Sequence, residues 1–533
     1  MLETTKSCGG GRIEERVGED MISALPEDLL VNILKYVPTK DAVATMILSK
    51  RWRFTWTMLP KLDYKENKDD ESKRSVWWFL EKSLQLLKAP VLTLLLIELG
   101  PRCPSDADVG KCVAKAVDRR VVVLALELRW SADPARLPNS LYSCKTLEVL
   151  NLSHKILVDV PCTACLPSLT MLWLDCVVYK NDESLIRLLS GCSVLESMYV
   201  KRIKDDNVKR FTVKVPSLLE LEYVNHCNDV EEDTCRCLVI DTPALTEFDI
   251  TYYSGDSCSI ENTPCLEQVY IDIERCFPDV DNFLRSFSAV SFLELDLTDE
   301  MILCCTTIKF SRLTMCRIRP WDSDWMDSLV PFLENTPKLK CFIVDYRSTH
   351  KPPIASPLWN ETGSDPKCLS SSLEKFELID YTGREEEVEL VEYILTTSKI
   401  LETATISMRS LPDLKMMKEL KAIPRMKMKM RYSEIRKRDK GVPVGCNCGV
   451  VLLVARSNDP STRGELYFSC AYEITNGPVQ GCGFRRWWND ALRDEFVNIT
   501  EEKNEMKQDL DAAKKRIETQ EEIILNMERN MTR

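Results

Sequence analysis

Apolar and polar positions along this chain follow two different periods. From residue 22 to residue 64, ISALPEDLLVNILKYVPTKDAVATMILSKRWRFTWTMLPKLDY, apolar residues return every three or four positions, with Leu29, Leu30, Ile33, Leu34 and Val37 as the first set. That spacing predicts a helix. Pro26 suits a first helical position, Glu27 and Asp28 complement the positive end of the helix dipole, and Pro38 stops the element. Thr39 caps a second predicted helix carried by Ala42 to Leu48, and Ser49-Lys50-Arg51-Trp52 begins a further turn ending near Leu59-Pro60. Two or three short helices cannot bury both of their faces, so apolar surface should remain for a partner.

From about residue 140 to 410 the period shortens to two. A phrase recurs in which an apolar step ending in Leu is followed by alternation, as in CKTLEVLNLS, LPSLTMLWLDCV, CSVLESMYVKRI, VPSLLELEYVN and TPALTEFDIT. It returns in TPCLEQVYIDI, FSAVSFLELDL, FSRLTMCRIRP and TPKLKCFIVDY. A repeat of roughly 20 to 30 residues predicts a leucine-rich solenoid, in which one short strand per repeat joins a parallel ladder and the return segment packs behind it. Residues 368–408 then predict a strand, a turn at Thr382-Gly383, a helix over Glu385 to Thr397 and a second strand. That helix sets Val388, Val391, Ile394 and Leu395 on one side, with acids at its start.

Two further patterns follow. VVLLVARS and ELYFS, separated by NDPSTRG, read as two strands of a hairpin. Beyond Asp490, Leu492, Phe496, Ile499, Met506, Leu510, Ala513, Ile517, Ile524, Met527 and Met531 follow alternating steps of four and three, with Lys503 and Gln520 as polar interruptions, which predicts a coiled coil.

Composition bounds these readings. A chain of 533 residues exceeds one core, so two to four domains are expected. The first twenty residues lack an apolar signal core and Val91 to Ile97 is too short to span a bilayer. The expectation is a nuclear or cytoplasmic protein with no membrane association. The 23 cysteines then read mainly as small buried hydrophobes. A formal charge of −12 leaves no global phosphate-binding footprint, although Lys415 to Lys440 gathers eleven Lys or Arg against three Glu or Asp.

Several chemically suggestive residues reduce to packing. Cys162 and Cys165 have a CxxC spacing with no second pair at a matching distance, so they read as loop thiols. His154, His226 and His350 fall in different repeats and form no triad. Trp321, Trp325 and Phe332 have the aromatic character of a recognition surface, but their helical spacing favours the core. Four late cysteines differ: Cys446, Cys448, Cys470 and Cys482, within a segment too small for a secure core, match the four thiolates of a structural zinc site.

The segments LPEDLL, VPTKDAVAT and LSKRWRFTW, in that order, resemble an F-box in its plant form, with Met46 the main departure. This resemblance implies a Skp-type adaptor of a cullin-RING ubiquitin ligase as partner, contacted by Leu25, Pro26, Leu30, Ile33, Leu34, Leu48 and Trp52. Residues 368–408 resemble the FBD segment that closes many plant F-box and leucine-rich-repeat proteins, which implies a C-terminal cap on the solenoid. The order CNCG, then Gly464 to Cys470, then GCGFRRWWND is similar to a GRF-type zinc finger, with Glu465 standing where that family has Arg. The resemblance implies Zn2+ at Cys446, Cys448, Cys470 and Cys482, and Arg485, Arg486, Trp487 and Trp488 as the contact set for single-stranded nucleic acid. Trp487 and Trp488 either stack on bases or pack over the metal site. Four Arg against four Asp or Glu from Gly441 to Asp490 leave the finger without net positive charge.

The expected class is therefore α/β. Its order is a polar N-terminus (1–20), a helical F-box (21–65), an irregular leucine-rich-repeat solenoid (75–366) and an FBD-like cap (367–410). A basic linker (411–440), a small zinc-bound β finger (441–490) and a long coiled-coil helix (491–533) complete it. The expected function is a non-catalytic substrate receptor that presents an unidentified protein target through the repeat surface and self-associates through its tail. The alternative is a nucleic-acid-associated factor that uses the basic linker and the finger.

Overall fold

The computed structural model describes residues 22, 25–66, 75–225, 236–253, 256–273, 279–320, 324–347 and 365–408. It also describes the backbone of strands Met428–Tyr432, Leu452–Arg456, Leu466–Cys470 and Arg485–Trp487. The N-terminal segment 1–20 and the predicted coiled coil 491–533 lie outside the described residues.

The first described helices are α1 (Glu27–Leu34), α2 (Thr39–Ala44) and α3 (Trp52–Thr55). Pro26 and Pro38 sit at the N-caps of α1 and α2, where a missing N–H costs nothing. Leu30, Leu34, Ala42, Trp52, Trp56 and Leu59 close a small core of their own.

The chain then enters a parallel sheet. Its strands are β1 (Lys61–Lys65), β2 (Leu94–Leu99), β3 (Val123–Leu128), β4 (Val149–His154) and β5 (Met171–Asp175). Next come β6 (Ser197–Arg202), β7 (Glu220–Asn225), β8 (Glu247–Tyr252), β9 (Gln268–Ile273) and β10 (Phe292–Leu297). The remainder are β11 (Met315–Pro320), β12 (Cys341–Asp345), β13 (Lys375–Tyr381), β14 (Thr403–Met408) and β15 (Met428–Tyr432). Among the described residues each strand pairs with the next along the chain, giving a fifteen-stranded ladder.

Register follows from the alternation. Leu62, Leu95, Leu124, Leu150, Leu172, Met198 and Leu221 occupy one ladder position. Phe248, Val269, Leu293, Cys316, Phe342, Phe376 and Ala404 continue it to β14, and the whole row is buried. A slip of one residue would turn this row outward, so burial pins the pairing. Each such side chain contributes about 1.5–3 kcal/mol relative to exposure.

Return segments cover the buried face. Among them are α4 (Trp77–Leu86), α5 (Val109–Asp118), α6 (Asp182–Ser190), α7 (Val280–Arg285), α8 (Asp299–Cys305), α9 (Leu329–Glu334), α10 (Lys367–Ser371) and α11 (Glu385–Thr397). Two small parallel sheets replace helices elsewhere, with strand orders 135–136, 156–158, 178–179 and 210–213, 237–241, 257–262. The end of β6 and the segments beyond it bury one paired charge cluster. Arg202 meets Asp206 through Nε at 2.6 Å and Nη2 at 2.9 Å, while Arg236 Nη2 reaches Asp206 at 2.7 Å, all buried.

Three expectations change. The last residues of the segment expected to be a separate helical box form β1, so sheet pairing starts inside it. The expected cap (367–410) extends the ladder: β13, the turn at Gly383 with φ +80°, α11 and β14 make one more repeat. Glu387 fixes that turn by accepting the backbone N–H groups of Thr382 at 2.7 Å and Gly383 at 2.8 Å. The basic stretch 411–440, expected as a linker, contains β15, paired in parallel with β14. MKMKMRY shows the alternation that could have revealed it.

The predicted hairpin is present. β16 (Leu452–Arg456) and β17 (Leu466–Cys470) are antiparallel, and β18 (Arg485–Trp487) pairs antiparallel with β17.

Candidate interaction surfaces

Two surfaces stand out, one on the N-terminal helices and one on the open face of the ladder.

On α1 the five apolar residues divide between two sides, with Val31 half-buried against the small core. Leu30 and Leu34 are buried, whereas Leu29 and Ile33, one turn apart, are 46% and 44% exposed. Tyr36, Ile47 and Leu48 are also exposed, Leu48 at 63%. A helix apolar on both sides has one side for its own core and one for something else. Of the contact set expected from sequence, Pro26, Ile33 and Leu48 face outward and Leu25 is half-buried. Leu30, Leu34 and Trp52 are instead buried in the small core with Ala42, Trp56 and Leu59. Leu29, Tyr36 and Ile47 take their place on the surface, and periodicity alone could not sort them from their neighbours.

The helices are tied to the ladder. The N–H of Asp63 on β1 donates to Thr39 Oγ1 at the start of α2, and the N–H of Lys88 just after α4 donates to the Thr57 carbonyl at 2.7 Å. Lys88 Nζ also lies 5.1 Å from the Phe54 ring centroid. The apolar helical surface is thereby held at one end of the ladder.

On the open face, alternate strand residues form registered rows. The central row reads Trp173, Tyr199, Glu222, Asp249, Tyr270, Glu294 and Arg317 from β5 to β11. The Trp173 and Tyr199 rings stack with centroids 3.7 Å apart and planes 15° apart. Glu222 and Asp249 stand directly opposite each other, as do Glu220 and Glu247 two residues earlier. Burial, then the carboxylates of Glu222 and Glu294, push the Asp249 carboxyl up to about 6.

Further along, charge is matched. Arg319 pairs with Asp296 and with Glu294 at 3.3 Å, and Arg317 pairs with Asp345. Burial by itself would raise Asp345, but hydrogen bonds from Arg347 and Arg317 bring it down to about 2. Burial pushes Asp296 up to about 7, with Arg319 opposing.

The remaining predicted residues are placed as follows. Trp325 and Phe332 are buried, as their core spacing predicts. Cys162 and Cys165 are exposed free thiols on a return segment, and His154 lies 4.0 Å from Glu127. His226, His350, Trp321, Cys446, Cys448, Cys482 and Trp488 lie outside the described residues. Cys470 ends β17, and Arg485, Arg486 and Trp487 form β18, with only their backbone described. No described helix is long and apolar enough to cross a membrane.

Comparison with known proteins aligns with this geometry. A family model described as the F-box domain matches residues 22–64, and one described as FBD matches 361–406. A model of the leucine-rich repeats of an FBD-associated F-box protein, At5g56370, matches 111–258. Residues 424–533 match a family described as a protein of unknown function. Among relatives from Arabidopsis thaliana, the putative FBD-associated F-box protein At1g05080 is 53% identical over 78% of this chain and 97% of its own length. The putative F-box/FBD/LRR-repeat protein At3g49480 is 46% identical over 75% of this chain and 92% of its own. The F-box/FBD/LRR-repeat protein At5g56420 is 37% identical over 76% and 96%.

Proposed function

The chain belongs to the plant family of F-box/FBD/leucine-rich-repeat proteins, and from that premise we propose that it is the substrate-receptor subunit of an SCF-type cullin-RING ubiquitin ligase. The observation that carries this reading is the outward apolar side of residues 22–58, where Leu29, Ile33, Tyr36, Ile47 and Leu48 remain exposed around a core already complete without them. A Skp-type adaptor covering that side would remove it from water at about 25 cal/mol per Å². The Thr39 to Asp63 hydrogen bond then fixes the adaptor relative to the open sheet face, where a protein target would be held. In this reading the chain positions two partners and performs no covalent step; ubiquitin transfer belongs to other subunits, in the nucleus or cytoplasm.

The test is recovery of a purified Skp-type adaptor on the immobilised full-length chain. Ile33→Ser/Leu48→Ser is expected to reduce recovery at least tenfold while the thermal midpoint stays within a few degrees. Equal recovery from a folded double variant would overturn the docking surface.

A structural zinc ion at Cys446, Cys448, Cys470 and Cys482 is a second proposal. The donor chemistry fits, since four thiolates satisfy tetrahedral zinc. The backbone register supports it: Cys470 pairs with Leu452 at the start of β16, and Ser469 pairs with Arg485 at the start of β18. In the sequence Cys448 and Cys482 precede those strand starts by four and three residues, and Cys446, Cys448 and Cys482 lie outside the described residues. The ion would supply folding free energy to a segment with little core. The same segment motivates the alternative reading, single-strand binding through Arg485, Arg486, Trp487, Trp488 and the basic stretch, while a second copy of the chain bound through the heptads of 491–533 belongs to the receptor reading. Salt-dependent anisotropy of a labelled single-stranded oligonucleotide with the full chain tests the binding, and no response at low salt would remove it.

A further inference from the structure

We propose that the open face over β5 to β8 is a docking site for an extended, lysine- or arginine-bearing segment of the protein target, with Trp173 and Tyr199 receiving its apolar or cationic side chains and Glu220, Glu222, Glu247 and Asp249 its positive charge. This inference rests on the substrate-receptor reading and names the class of target.

Two independent features of the face lead here. The first is aromatic. Trp173 and Tyr199 form a stacked pair on the solvent side of the sheet, with Trp173 38% and neighbouring Met171 47% exposed. Large apolar side chains contribute little to a fold from that side, whereas a stacked indole and phenol offer a flat anchor for a partner and a face for a cation.

The second feature is charge. Glu220 faces Glu247 and Glu222 faces Asp249 across adjacent parallel strands, about 4.8 Å apart in the pairing direction. Like charges in direct opposition destabilise a sheet. Among the described residues no Lys or Arg forms an ion pair with any of these four, although Glu294, Asp296 and Asp345 on the same face each have an arginine. The fold thus pairs acids directly with arginine on one part of the face and leaves four without an ion pair beside the aromatic rings, with Arg319 acting on Asp249 only at longer range. Tyr199 and Glu222 are registered neighbours, so ring and carboxylate adjoin. Ring faces beside carboxylates attract cations by quadrupole and by ion pairing together, and repel an acidic segment.

The experiment uses the full-length chain and two fluorescein-labelled twelve-residue peptides, one of Lys, Leu and Ser, the other with each Lys replaced by Glu, in physiological salt. The Lys peptide is expected to bind and the Glu peptide to fail. Glu222→Gln/Asp249→Asn, and separately Trp173→Ala, are each expected to weaken the Lys peptide about tenfold. Glu183→Gln/Glu392→Gln, which removes the same charge from α6 and α11, should leave its affinity unchanged. Equal weakening by both double variants would show attraction to net charge alone and overturn the site, as would equal binding of the two peptides. Adaptor recovery is measured on the same proteins. Its retention alongside failed peptide binding overturns only this inference, and its loss in the wild-type chain overturns the receptor reading itself.

Discussion

The backbone N–H of Asp63 donates to the side-chain oxygen of Thr39 at 2.9 Å, joining the second N-terminal helix to the first strand of the ladder. Thr39 is fully buried, so water cannot replace the bond. Thr39→Val, which keeps the shape and deletes the acceptor, should cost about 1–3 kcal/mol. Hydrogen exchange checks it: amides of residues 61–65 should lose protection before those of β5 to β9.

The two sides of α1 predict opposite behaviour. Leu30→Ala removes a residue that is 0% exposed in a small core and should cost about 2–5 kcal/mol. Ile33→Ser, three residues later on the exposed side, should change stability by about 0.5 kcal/mol or less. Thermal melts of the two variants decide it, and a reversed order would show that the burial pattern is wrong.

The buried Arg202, Asp206 and Arg236 cluster should be intolerant of losing its anion. Asp206→Ala removes the buried carboxylate that both guanidinium groups share and should cost about 3–5 kcal/mol. Urea denaturation measures the loss, and a full-strength response from a surface pair such as Arg187 and Glu183 would be inconsistent with this account.

Two acids on the open face should shape pH dependence in opposite senses. The Asp249 carboxyl is raised in the fold, so the folded state binds more protons than the unfolded chain between the usual aspartate range and about pH 6. Its ionisation therefore costs stability, a cost fully present above about pH 6 and relieved as pH falls. Asp249→Asn should raise the melting temperature at pH 7.5 by about 2 °C and have almost no effect near pH 4. Asp345 is held at about 2, so its contribution is present above the usual aspartate range and is lost as pH falls through about 2. Asp345→Asn should lower the melting temperature at pH 7.5. Melts of both variants across pH 4–8 test the signs.

Metal analysis of the full chain should find one zinc ion, and Cys470→Ser should remove it while leaving adaptor recovery intact. Chelation should strip the metal from the wild type and release none from the variant, which is the matching control.

The nine leucine-bearing phrases each became a strand, because period-two alternation with one apolar side has a single stable use in a stacked ladder. The prolines, acids and helical spacing before residue 59 were equally local, and so was the turn at Gly383 followed by α11. What alternation could not show was where pairing stops: β1 lies within the expected helical segment and β15 within the expected linker, because an edge strand is recruited by its neighbour's free N–H and C=O groups. Nor could it sort Leu30 and Leu34 from Leu29 and Ile33, since adjacent apolar residues satisfy the same helical period and only packing against Trp52 and Trp56 chooses between them. The sequence by itself determined the repeat, its spacing and the helical start. Only tertiary structure decided that Glu220, Glu222, Glu247 and Asp249 share one patch beside Trp173 and Tyr199. Residues some twenty-five positions apart become neighbours solely through strand register, and register is set by the buried row behind them.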